Sequence, residues 1–121
     1  MKEKKFWKLT PHLPVRDVKE SVEWYKNNLG FGEEWFYGDP VTDGGCRRDE
    51  MRVLFGIGSS PFQTPKDISL ILFVDNVEEI YAEMQQKGLP IFRPLKTHNY
   101  GIKEFSIIEC NGYLLRFSES L

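Results

Sequence analysis

The sequence predicts an α+β fold of two βαβββ modules whose curved sheets form a cleft, with the helices packed outside. Three observations lead to this reading. Residues 13–31, LPVRDVKESVEWYKNNLGF, break from a β-like run into an amphipathic helix. Residues 72–89, LFVDNVEEIYAEMQQKGL, repeat that plan: Val74, Val77 and Glu79 each follow Val15, Val18 and Glu20 by 59 positions. Three β-like segments follow each copy, so the repeat and the element order agree.

In chain order, residues 2–8 form a charged arm carrying Phe6 and Trp7. These aromatics either cover the edge of the core as a terminal strand or dock on a second subunit. Residues 9–15 form the first strand. Pro11 and Pro14 cannot donate ladder hydrogen bonds, so it takes an edge or irregular position. Asp17 stands at the N-cap with Glu20 at capping-box spacing. Val18, Val22, Tyr25 and Leu29 recur on one helical face, and Gly30 closes the helix. Residues 31–37, FGEEWFY, read as a strand, 38–45 as a turn or mobile loop, and 45–48 and 51–56 as two short strands. Residues 59–66, SSPFQTPK, have the composition of a linker.

The second half repeats the order. Residues 67–74 form an apolar strand, Asn76 takes the N-cap place, and Val77, Ile80, Tyr81 and Met84 mark the buried helical face up to Gly88. Residues 90–93 read as a strand and 94–101 as a loop. Residues 103–109 and 113–117 make a final hairpin that turns through Cys110-Asn111-Gly112, where Asn-Gly is a strong turn signal. The modules span residues 9–58 and 66–118. A chain of 121 residues supports one domain with a real core and not two independent ones, so the halves must share a sheet or a cavity.

Bulk composition excludes several classes of function. A net charge of −2 gives no electrostatic case for nucleic acid or an anionic membrane. No apolar run approaches the ~20 residues of a membrane span, and MKEKKFWKL lacks the apolar stretch of a signal peptide, so a cytoplasmic protein is expected. Cys46 and Cys110 are too few for a disulfide framework and are read as reduced thiols.

The stretch LPVRDVKESVEWYKNNLGF, the hairpin CRRDEMRVLF and the segment YGIKEFSIIECNGYLLRF together resemble the glyoxalase, bleomycin resistance and dioxygenase superfamily, the vicinal oxygen chelate proteins. The resemblance covers residues 9–118. Lys103-Glu104-Phe105 stands where the family often has Arg-Glu-Phe, and Glu109-Cys110-Asn111-Gly112 where it often has Asp-Pro-Asp-Gly. It implies paired βαβββ half-barrels around a pocket. In the enzymes of the family, His and Glu side chains hold a divalent ion that acts as a Lewis acid. In its bleomycin resistance branch there is no metal, and a drug is sequestered.

The resemblance also says where the metal ligands would fall. The first-module positions are Thr10, seven residues before Asp17, and Leu54. The second-module positions are Ser69 and Arg116, four residues after Gly112. None is a good protein ligand, and Arg116 brings a permanent positive charge. No metal and no other cofactor is therefore expected.

Strand alternation places Thr10, His12, Arg52, Leu54, Ser69, Ile71, Phe73, Leu114 and Arg116 toward the cleft, and Leu13, Val15, Leu70, Leu72 and Val74 toward the helices. Trp35, Phe36, Tyr37 and Phe105 offer flat surfaces for stacking. His12 is read as a hydrogen-bonding wall of the pocket or as a structural histidine; a metal centred on it would need further ligands, and only His98 remains, in a loop. Arg52 and Arg116 either pair with Glu33, Glu34 or Glu104 or contact an anionic ligand. The expected ligand-binding set is His12, Trp35, Tyr37, Arg52, Leu54, Ser69, Ile71, Phe105 and Arg116, with no catalytic residue assigned.

The function these residues favour is metal-free binding of a small molecule, an antibiotic or aromatic metabolite, by a homodimer of the bleomycin-resistance type. Two enzyme readings stand beside it. One is a metal-dependent lyase or dioxygenase of the glyoxalase type. The other is a metal-independent enzyme with His12 as general base and Arg116 stabilising an anion.

Overall fold

A computed structural model describes residues 5–58 and 67–121, so the segment read as a linker lies outside the described residues. The chain divides into two compact units, Met1–Phe62 and Gln63–Leu121. Each contains one helix and one four-stranded sheet.

In the first unit, β1 (His12–Val15) leads into α1 (Val18–Leu29), followed by β2 (Glu33–Tyr37), β3 (Asp43–Arg48) and β4 (Met51–Ile57). The strand order is β1-β4-β3-β2, with β1 parallel to β4 and the other pairs antiparallel. The proline-bearing β1 takes an edge, where a missing donor costs least. It is shorter than expected, because no strand pairing extends before His12.

The helix forms as its sequence dictates. The Asp17 carboxylate accepts from the Glu20 amide at 3.0 Å, which satisfies a backbone donor that the first turn leaves open. At the other end Gly30 adopts φ 75°, and its amide donates to the Tyr25 carbonyl. The Arg48 guanidinium donates to the Leu29 carbonyl at 2.8 Å, tying helix to sheet. Val18, Val22, Tyr25 and Leu29 are all buried, as are Leu13, Val15, Val53 and Phe55 of the sheet. Tyr25 sits at the centre, edge-on to Phe31 and Phe55 with ring centroids 5.8 and 5.0 Å away.

The second unit repeats the architecture. Its elements are β5 (Ser69–Phe73), α2 (Val77–Gln86), β6 (Arg93–Thr97), β7 (Ile102–Ile108) and β8 (Leu114–Ser120). The order β5-β8-β7-β6 and the parallel β5–β8 pair match the first sheet strand for strand. Asn76 caps α2 by accepting from the Glu79 amide at 3.2 Å, and Glu119 of β8 accepts from the Val77 amide at 2.9 Å. Leu72, Val77, Met84, Phe105, Ile107, Leu115 and Phe117 form the core. In the β7–β8 turn, the buried Glu109 accepts from the amides of Asn111 and Tyr113.

Two stretches read as loop belong to strands. Residues 94–97, read as loop, belong to β6, an edge strand whose register against β7 shifts between Arg93 and Lys96. Pro94 hides this strand from a sequence reading, since it removes a donor; an edge position beside an irregular register tolerates the loss. Residues 43 and 44, also read as loop, begin β3. Gly44 faces α1, where a Cβ would fall 2.9 Å from a Val18 methyl carbon, so its smallness lets the helix lie close to the strand.

Phe6 is 96% and Trp7 76% exposed, so neither aromatic is buried against this chain's core.

Candidate functional site

Each helix seals one face of its sheet, and the two-residue period of the strands then assigns side chains to the opposite face. In the first unit one row across that face runs His12, Leu54, Gly45, Trp35, and the next Pro14, Gly56, Asp43, Tyr37. Arg52 lies opposite Arg47, which lies opposite Glu33.

Two glycines make room on this face for rings. A Cβ on Gly45 would fall 2.6 Å from Cζ2 of Trp35, and one on Gly56 would fall 2.9 Å from Cε1 and Nε2 of His12. Both separations are impossible for real side chains, so the indole and imidazole occupy space that any larger residue would take. Arg52 stacks over the indole, its Cζ 4.8 Å from the ring centroid. Such a cation–π contact holds a guanidinium flat while leaving hydrogen-bond donors at its edge. Nε2 of His12 lies 3.8 Å from a carboxylate oxygen of Asp43, within ion-pair range and beyond a hydrogen bond.

Arg52 has no carboxylate partner among those expected for it. Arg47 takes Glu33, and Lys26 takes Glu34 at 3.3 Å. On the helix side of the same sheet, burial first and the nearby Glu34 charge second push the Cys46 thiol up to about 12, so it is an inert core group.

The corresponding face of the second unit carries Ile71, Arg116, Ser106 and Arg93 in one row and Phe73, Ser118, Glu104 and Lys96 in the next. Ser69 lies opposite Leu114 at the end of the β5 edge. Arg116 grips Glu104 through two parallel bonds, Nε to Oε1 at 3.1 Å and Nη2 to Oε2 at 3.2 Å, and Ser118 donates to Oε2 as well. Burial acts to raise the Glu104 carboxyl, but the Ser118 and Arg116 hydrogen bonds and the Arg116 charge outweigh it and hold it below its ordinary value of 4.5.

The sequence-expected site residues therefore fall into three groups. His12, Trp35, Tyr37, Arg52 and Leu54 share the first sheet's open face, and Ser69, Ile71 and Arg116 share the second's. Phe105 does not belong with them. It is 1% exposed, pairs with Phe117 in ladder register, and packs against Tyr81 of α2 with centroids 4.8 Å apart. Sequence reasoning missed Ser106, and it named Glu104 only as an ion-pair partner. The hairpin register about Asn111-Gly112 places both beside Arg116. A groove of about 370 Å³ opens elsewhere, lined by Arg16, Asp17, Lys19, Asp39 and Pro40 among others; its mixed charges select no ligand.

A profile of the Glyoxalase/Bleomycin resistance protein/Dioxygenase superfamily matches residues 9–117. The chain belongs to this superfamily. Its fold is that of a bleomycin resistance determinant encoded on transposon Tn5, with a TM-score of 0.78 at 21% identity over 95% of this chain and 98% of that one. TioX from Micromonospora sp. ML1 is similar at 0.77, with 17% identity over 93% and 98% of the two chains. A glyoxalase-related enzyme from Clostridium phytofermentans reaches 0.79, with 18% identity over 98% and 100%. Comparison with curated proteins gives no match.

At positions where the resemblance would put metal ligands, the residues present do not fit a divalent ion. Leu54 has no donor atom, Ser69 is an exposed hydroxyl on an edge strand, and Arg116 places a cation where a carboxylate would be needed. Both oxygens of the neighbouring Glu104 are already bonded.

The Glu104 network has a consequence for stability. A carboxylate held low in the folded state stabilises it above pH 4.5, and that contribution is lost as pH falls through the lowered folded value. Glu104→Gln should cost about 1–3 kcal/mol at pH 7. Urea unfolding at pH 7 and pH 3 checks this: the gap between wild type and variant should narrow at the lower pH, and an equal gap would contradict it.

Proposed function

We propose that the protein binds a small molecule without a metal, in the manner of the bleomycin resistance branch, and sequesters an antibiotic or an aromatic metabolite. The observation that carries this reading is the stack of Arg52 on Trp35 above Gly45, on the sheet face turned away from α1. An indole backed by glycine and flanked by a guanidinium suits a planar or heteroaromatic ring, because the ring gains stacking contact while the guanidinium edge remains open for polar groups. The donor set supports a metal-free site, since no step of Lewis-acid chemistry can be routed through Leu54 or Arg116. The metal-dependent lyase reading has no residue in its favour. A His12 base has little support, because Asp43 at 3.8 Å is too far to orient the ring by a hydrogen bond.

The working form is a homodimer in the cytoplasm. Phe6 and Trp7 are largely exposed, and a second copy supplies the surface that covers them. Sedimentation equilibrium should give twice the chain mass, and Phe6→Ser with Trp7→Ser should shift it toward monomer; a monomeric wild type would contradict the dimer.

Titration of the protein in excess chelator with aromatic antibiotics, a bleomycin-type glycopeptide among them, should give saturable tryptophan quenching with at least one. Trp35→Ala should weaken that binding about tenfold or more. No saturable ligand, or a Trp35→Ala variant that binds as well as wild type, would contradict the reading.

A further inference from the structure

The face of the second sheet holds a polar group that the packing leaves without a partner. Ser106 is 2% exposed, and its hydroxyl makes no hydrogen bond among the described residues. A buried hydroxyl in that condition is costly, and the core offers no reason for it. Its neighbours Phe105 and Ile107 turn toward the helix, so Ser106 turns to the opposite face, between Arg116 on β8 and Arg93 on β6.

Arg116 is bonded on one side only. Glu104 occupies the edge formed by Nε and Nη2, and no further bond to the guanidinium exists among the described residues. A guanidinium has a second two-donor edge, formed by Nη1 and the remaining Nη2 hydrogen, which matches two oxygens of an anion. Glu104 fixes the plane of the guanidinium and so lowers the entropy cost of using that edge. The charges nearby also favour an anion. Arg93, Lys96 and Arg116 face a single carboxylate, Glu104, in the same two rows. Beside them Ile71 and Phe73 are 47% and 55% exposed, giving an apolar surface next to the donors.

We propose that Arg116 and Ser106 form an oxyanion subsite on this face, which takes the carboxylate or phosphate of a ligand whose apolar body lies on Ile71 and Phe73. This rests on the reading of the protein as a small-molecule binder and names the ligand class: an acidic aromatic compound. A cationic glycopeptide of the bleomycin type fits poorly, since its charge would face Arg116 and Arg93.

Naphthoate, naphthyl phosphate and neutral naphthamide, titrated into the full chain and followed by amide NMR shifts, test the proposal. At least one anion should bind saturably, with shifts centred on residues 104–108 and 114–118, and about tenfold or more tighter than the amide. The ratio of the two anions identifies the headgroup. Ser106→Ala should weaken the favoured anion several-fold, leave the amide unchanged, and keep or raise thermal stability, because it removes an unpartnered hydroxyl. Arg116→Lys keeps the charge but lacks the two-donor edge, and should also weaken the anion.

Equal binding of amide and anion would overturn the subsite while leaving small-molecule binding intact. Failure of both anions to bind saturably would also overturn it, and the antibiotic titration separately decides the broader reading. An unchanged anion affinity in Ser106→Ala would remove Ser106 from the site.

Discussion

Each sheet is sealed on one face by a single helix, and this constraint decides the fate of every strand residue. Once Phe55 must meet Tyr25, and Phe105 must meet Tyr81, the two-residue period sends Leu54, Arg52, Glu104 and Ser106 to the opposite face. The capped strand-to-helix turns at Asp17 and Asn76 anchor the constraint, because they fix where each helix begins relative to the strand before it. The parallel pairs β1–β4 and β5–β8 then follow in both units.

On the open faces the two units have diverged in chemistry. The first is built around rings that glycines make room for, with Arg52 on Trp35 and His12 over Gly56. The second is built around charge, with Glu104 gripping Arg116 and also accepting from Ser118. The resemblance would put an acidic metal ligand at the position of Arg116. A fixed guanidinium there replaces one kind of cation with another: it can still attract an anion, but it has no vacant orbital with which to polarise a substrate oxygen. On the proposed metal-free reading, the face keeps a cation that can hold a ligand and lacks a Lewis acid.

Much of this was legible in the sequence because it is local. The caps, the buried helical faces, the Asn111-Gly112 turn and the duplication depend on residues a few positions apart. The pairing of Arg116 with Glu104 is likewise legible, since the sequence offers that carboxylate as one of its partners and two hydrogen bonds join them. What escaped was set by register or by neighbours across strands. The aromatic character of Phe105 suggests a stacking surface, but pairing with Phe117 in the hairpin puts it in the core. The β6 strand was hidden by Pro94 and its irregular register. Gly45 and Gly56 look like ordinary strand glycines until the rings of Trp35 and His12 are seen lying over them.

The proposed metal-free binding rests on Arg116 and Leu54 standing at positions where the resemblance would put metal ligands. Elemental analysis of protein purified without chelator addresses it most directly. The account predicts divalent metal far below one ion per chain; a stoichiometric ion that survives gel filtration would contradict it.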